Sequence, residues 1–196
     1  MKTPRRVYRG EEGQSMVEMA FILPILVVTA LAVVEVSYAL LDQHIVSKLS
    51  REGSNLISRD VALADAGLAM RTMTTRPVNF DVGSRLVFSV LKKVGTGGAA
   101  NFDRIVLYQR YEMGALAATS AIRTSGNGSF GAGPDYIANN SDNDARLRVV
   151  GLPGNIDLTR GNLLYVTEVF TRHPLITPVD RFGISVPETL YSIAYF

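Results

Sequence analysis

"EEGQSMVEMAFILPILVVTALAVVEVSYALL", residues 11–41, decides the architecture. Met19 to Val34 carry no charge, and Val36 to Leu41 continue the apolar run past Glu35. At 1.5 Å rise per residue, about 20 helical residues cross the roughly 30 Å hydrocarbon layer, which is the length of Met19 to Tyr38. The run therefore predicts one membrane-spanning helix. Its two carboxylates are the anomaly, because a charged group at mid-membrane costs about 2.5 to 3.5 kcal/mol and less near an interface. Glu35 lies about 25 Å along the axis from Glu18, so with Glu18 at the inner edge Glu35 approaches the outer one. The plainest expectation for Glu35 is a carboxylate reaching toward the outer headgroups. The alternative is a pairing role in an assembly.

The flanks orient the span. Lys2, Arg5, Arg6 and Arg9 precede it, which places the N-terminus in the cytoplasm and the remainder outside the inner membrane. The formal charge of the chain is +2, and without residues 1–13 the basic and acidic side chains balance. A neutral body argues against nucleic acid as a partner, because phosphate binding needs clustered basic residues. With no cysteine there are no disulfides or thiolate metal sites, and the redox compartment stays open.

Beyond the span, Leu41, Ile45 and Leu49 recur every four residues, Leu56 and Ile57 extend a broken stripe, and no proline falls between Pro24 and Pro77. This predicts helix from about residue 15 to about residue 74, either unbroken or divided near Gly53. The chemistry then changes. "RLVFSVLKKV" (85–94), "FDRIVLYQRYEM" (102–113), "LLYVTEVFTRH" (163–173) and "TLYSIAYF" (189–196) are rich in β-branched and aromatic residues and are separated by glycine-rich turns. They predict an antiparallel sheet of about four strands whose apolar face is covered by the amphipathic half of the helix. The fold class is α+β: a long N-terminal helix, membrane-spanning and then amphipathic, packed on a small sheet.

The candidate chemical motifs are weak. "GTGGAA" sets Gly95, Gly97 and Ala100 at dinucleotide-fingerprint spacing, but the next residues read as strand, so a hairpin loop is expected. Ser129 in "GNGSFG" lacks the first glycine of a nucleophile elbow, and His44 and His173 suggest no triad with it. "NNSDNDARL" alternates Asp142 and Asp144, but Arg146 occupies a later ligand position of the calcium-loop pattern, so a polar turn is expected. Neither an enzyme activity nor a cofactor nor a metal is expected.

Gly13 is followed by "QSMVE", so Glu18 is the fifth residue after a glycine, behind a basic leader and ahead of the apolar helix. This arrangement resembles a class III prepilin signal. The wider stretch, with "GQSMVEMAFILP", "VVEVSYALL" and "SREGSNLISR", is similar to the TadE-like family of minor pilins and pseudopilins of the tight-adherence (Tad, Flp pilus) apparatus. Gly13, Gln14, Glu18, Ala20, Pro24, Glu35, Arg51, Glu52 and Gly53 carry the likeness, while Met19 and Ser37 depart from the family's usual aromatic and glycine.

The resemblance implies a pilin-like fold and a cut by prepilin peptidase between Gly13 and Gln14. With the helix and strand readings above, the chain divides into a leader (1–13), a transmembrane helix (14–41), its extracytoplasmic continuation (42–75) and a head (76–196). The resemblance further implies that Glu18 pairs with the freed α-amine of a neighbouring subunit, and that Pro24 and Glu35 serve assembly. The partners implied are prepilin peptidase, other pilin and pseudopilin subunits, the inner-membrane Tad assembly platform and membrane lipid, with adhesion and biofilm formation as the outcome. The competing expectation is a secreted periplasmic binding domain behind an ordinary signal, for which "ALA" at 30–32 offers a cleavage site. An uncleaved single-pass scaffold of a secretion system is the third.

Overall fold

The computed structural model describes residues 11–152 and 156–196. The first ten residues of the expected leader lie outside the described residues. Helix α1 runs unbroken over Glu11–Ile57, straight through Pro24. Helix α2 follows over Leu63–Thr72, and the strands are β1 (Ser84–Lys93), β2 (Ile105–Met113), β3 (Arg123–Thr124), β4 (Val149–Val150), β5 (Leu163–Arg172) and β6 (Thr189–Tyr195). The described chain falls into two compact units. One joins the helix up to Leu40 with Leu175–Val186, and the other joins Leu41–Pro174 with Pro187–Phe196.

In the first unit the helix presents its apolar side chains outward: Phe21, Ile25, Leu26 and Val33 are all more than half exposed. The helix is long and apolar enough to cross a membrane, and its most apolar 18-residue stretch contains no buried residue. Its hydroxyls are satisfied inside the helix. Thr29 donates to the Ile25 carbonyl at 2.8 Å and Ser37 to the Val33 carbonyl at 2.8 Å, which removes the penalty of a bare hydroxyl in hydrocarbon.

The second unit is built on a four-stranded sheet of order β2-β1-β5-β6, every neighbouring pair antiparallel. The four expected strands are these four, to within a few residues. "GTGGAA" lies in the β1–β2 connection, as the hairpin reading requires. One face of the sheet, with Leu86, Phe88, Val90 and Val169, packs on Val46, Leu49 and Ile57 of α1 and on Leu63, Ala66 and Met70 of α2. From Leu41 onward the buried positions of α1 are 46, 49, 50, 53, 54 and 57, the i, i+3, i+4, i+7 spacing of a single helical stripe.

Two expectations are corrected here. The helix does not break at Gly53 but after Ile57, where Asp60 turns the chain with φ +58° before α2 begins. Gly53 instead permits close contact: a Cβ there would lie 2.7 Å from Thr167 Cγ2 and 3.0 Å from Phe88 Cε1. The docking stripe is also rotated from the Leu41–Ile45–Leu49 row, because Leu41 is 54% exposed while Ser50 and Ser54 are fully buried. Both serines bond to β6, Ser50 Oγ with Ser192 Oγ at 2.9 Å and Ser54 donating to the Ala194 carbonyl at 2.9 Å.

The opposite face of the sheet is covered as well. The long β2–β5 connection carries Leu116, Ile122, Ala138 and Leu147 over Val87, Leu91, Val166 and Phe170. That connection leaves β2 at Gly114, whose φ of +114° and whose Cβ position, 2.3 Å from the Ser84 carbonyl oxygen, exclude any side chain. The sheet is thus sandwiched between helices and a largely irregular strap.

Candidate functional site

The expected site residues all lie on α1. Gly13 has open space where a side chain would project. At the next residue, Gln14 Nε2 donates to Glu18 Oε1 at 3.0 Å across exposed surface, an i, i+4 pair that orients the carboxylate toward the start of the helix. Pro24 sits six residues beyond Glu18, where its ring leaves the Ala20 carbonyl without its usual amide donor.

Glu35 is placed differently from the expectation of a carboxylate reaching for headgroups. It is fully buried although Val34 and Val36 beside it are exposed. Its donors come from the β5–β6 connection. Ile176 N–H lies 3.2 Å from each carboxylate oxygen, Thr177 N–H donates to Oε2 at 2.8 Å, and the Thr177 hydroxyl donates to the same oxygen at 2.6 Å. Sequence dictates this presentation: Ile176 and Thr177 stand between Pro174 and Pro178, whose fixed φ and effect on the preceding residue stiffen the segment. Hydrogen bonds to a charged group contribute about 1.5 to 3 kcal/mol each, so three such donors offset the cost of placing a carboxylate in an apolar run.

A second buried carboxylate escaped the sequence reading. Glu168, fully buried on β5, accepts from the Ser120 hydroxyl, from Ala121 N–H at 2.7 Å and from the Tyr191 hydroxyl at 3.0 Å. It pins the strap to the sheet. Burial, followed by the Glu168 charge, pushes the Tyr191 hydroxyl far above the usual tyrosine range. The signal was present in β5 itself, where Leu164, Val166, Glu168 and Phe170 share one face and only Glu168 is charged.

The remaining motifs are bonded within the chain. Asp142 accepts from Lys92 Nζ at 3.0 Å and Thr96 Oγ1 at 2.8 Å, and these two bonds hold it below the usual carboxylate range. Asp144 caps the short 3₁₀ turn Ala145–Leu147 through Arg146 N–H and clasps the Arg146 guanidinium, which lowers its pKa in the same way. Both carboxylates are therefore taken by donors of the chain. No group of three or more metal-ligating side chains occurs among the described residues. Ser129 accepts from Asn139 at 3.2 Å, and His173 Nδ1 bonds Asp42 at 2.8 Å, so hydroxyl and imidazole serve different partners.

Against this geometry, residues 13–55 match the family model described as TadE-like protein. Over this segment the chain is similar to the TadE-like family. The match runs from Gly13 through Glu18, Pro24 and Glu35 to the Gly53 contact, so it spans the exposed apolar helix and nearly all of the docked half. It supports a protein associated with the Tad pilus. No curated protein and no solved structure is significantly similar to the chain.

Proposed function

We propose that this TadE-like chain is a structural minor pilin or pseudopilin, without enzymatic activity, that takes part in assembly of a Tad/Flp-type adhesive pilus. The observation that carries the reading is the junction at residues 13–18, where a glycine with no side chain in its surroundings is followed by an exposed carboxylate and a lipid-compatible helix. Prepilin peptidase cuts between Gly13 and Gln14 on the cytoplasmic side, leaving an α-amine on Gln14. Glu18 is already steered toward that end by Gln14. In an assembled helix bundle its carboxylate pairs with the amine of an adjacent subunit, because in hydrocarbon two charges are retained only when matched.

In this reading the helix crosses the inner membrane once, with the head in the periplasm and, after assembly, in the extracellular pilus. Its partners are prepilin peptidase, the other pilin and pseudopilin subunits, the inner-membrane assembly platform and lipid. Pro24 provides a weak point in the helix as a subunit leaves the bilayer. Glu35 serves assembly by fixing the β5–β6 connection in one geometry within each subunit.

N-terminal sequencing of the mature protein tests the proposal. Gln14 at the N-terminus is the expected result, Val33 would support a secreted binding domain instead, and an intact leader would support an uncut scaffold. Gly13→Ala is expected to block or strongly slow processing. Glu18→Ala is expected to be cut normally yet impair piliation, and wild-type pili in that variant would remove its assembly role.

A further inference from the structure

The segment that Glu35 holds has a surface of its own. Leu175, Ile176 and Phe182 are 46%, 54% and 54% exposed within eight residues of chain. Three large apolar side chains exposed on one short connection give it the composition of a contact surface. They belong to the same compact unit as the exposed apolar helix. The connection is fixed to that helix by the Ile176 and Thr177 donors on Glu35, inside the apolar run whose length matches a bilayer. The short 3₁₀ turn Val179–Phe182, closed by Gly183 at φ +77°, ends on Phe182 and carries Asp180 and Arg181 beside it. An aromatic tip with polar neighbours, next to a lipid-facing helix, has the chemistry of an interfacial element.

We propose that residues 175–186 form a second lipid-contacting element, with Leu175, Ile176 and Phe182 against the outer hydrocarbon boundary and Glu35 holding them there. The inference rests on the membrane-anchor reading of α1. The anchor thereby gains a lateral foot, which limits its rotation about its own axis in the bilayer.

The chain contains no tryptophan, so single-tryptophan variants report location directly. Full-length Phe182→Trp, Phe21→Trp and Phe102→Trp are reconstituted in phosphatidylcholine/phosphatidylglycerol vesicles with and without brominated acyl chains. Phe21 probes the helix and Phe102 an exposed position of the head. Strong bromolipid quenching is expected at positions 21 and 182 and little at 102, with at least a twofold loss of the quenching at 182 when Glu35→Ala is added. Quenching at 21 with none at 182 above the level at 102 overturns the inference and leaves the anchor intact. No quenching at 21 overturns the anchor reading and the inference with it. Quenching at 182 unchanged by Glu35→Ala overturns the holding role of Glu35. Blue-shifted emission at 182 that escapes bromolipid and grows with protein-to-lipid ratio puts a second copy on the segment and overturns the lipid assignment.

Discussion

Residues 13–41 and 42–57 belong to one helix, yet the two halves solve different problems. The first half presents Phe21, Ile25 and Leu26 outward and keeps its hydroxyls bonded to its own backbone. The second half buries one narrow stripe in which a glycine and two serines lie among Val46, Leu49 and Ile57. In the first half most apolar side chains face outward, and the one fully buried position is Glu35, clasped by Ile176 and Thr177. In the second, small residues set the distance between helix and sheet. The same contrast separates the buried glutamates: Glu35 holds a connection against the apolar half, whereas Glu168 holds a strap across the sheet.

The head is where single changes should be felt most. Glu168→Ala leaves the Tyr191 hydroxyl and Ala121 N–H without their acceptor, while the Ser120 hydroxyl keeps the Ile122 carbonyl at 3.2 Å; at about 1 to 3 kcal/mol per orphaned buried donor, a loss of about 2 kcal/mol or more is expected. Urea denaturation of the full chain in detergent micelles, followed by tyrosine near-ultraviolet circular dichroism, measures it. Gly53→Ala comes next. Its Cβ meets Thr167 and Phe88 side chains that are themselves fully buried, so overpacking of about 1 to 3 kcal/mol outweighs the gain of up to about 1 kcal/mol in helix propensity. Stability equal to wild type in that variant would break the contrast between the two halves.

Acid gives a smaller effect. Burial raises the Glu112 carboxyl, but Arg110 and Arg85 together outweigh it and hold the group below the usual range, and Asp142 is lowered by Lys92 and Thr96. Because the folded values lie below the unfolded ones of about 4, this stabilisation is complete above about pH 4 and is lost as pH falls through the folded values. The urea midpoint of the head should therefore decline below about pH 4 and stay level, as far as these groups are concerned, from pH 5 to 7. The smallest effect belongs to the span: Leu26→Ala should shift the same midpoint by less than about 0.5 kcal/mol, and a larger shift would mean that the apolar half supports the head.

Much of this was legible before any coordinates. The strands announced themselves because β-branched runs between glycine-rich turns have few other uses, and the span because its apolar length exceeds a core helix. What stayed hidden was set by tertiary packing. Nothing local marks Ser50 and Ser54 as buried until their acceptors on β6 are in view, and Gly53 offered a break as one of two alternatives because glycine is a poor helix former when its neighbours are unknown. Glu35 drew attention through its apolar surroundings, but its donors lie in a distant connection that no local pattern links to it. Glu168 drew none, since a lone charge in a strand usually faces water.

The distance along the chain between Glu35 and its donors has a consequence for biosynthesis. Thr177 lies 142 residues after Glu35. At about 5 to 20 residues per second, ribosomes take roughly 7 to 30 s to cover that interval. Glu35 is therefore synthesised well before Ile176 and Thr177 exist, and the clasp closes only once the β5–β6 connection has been made.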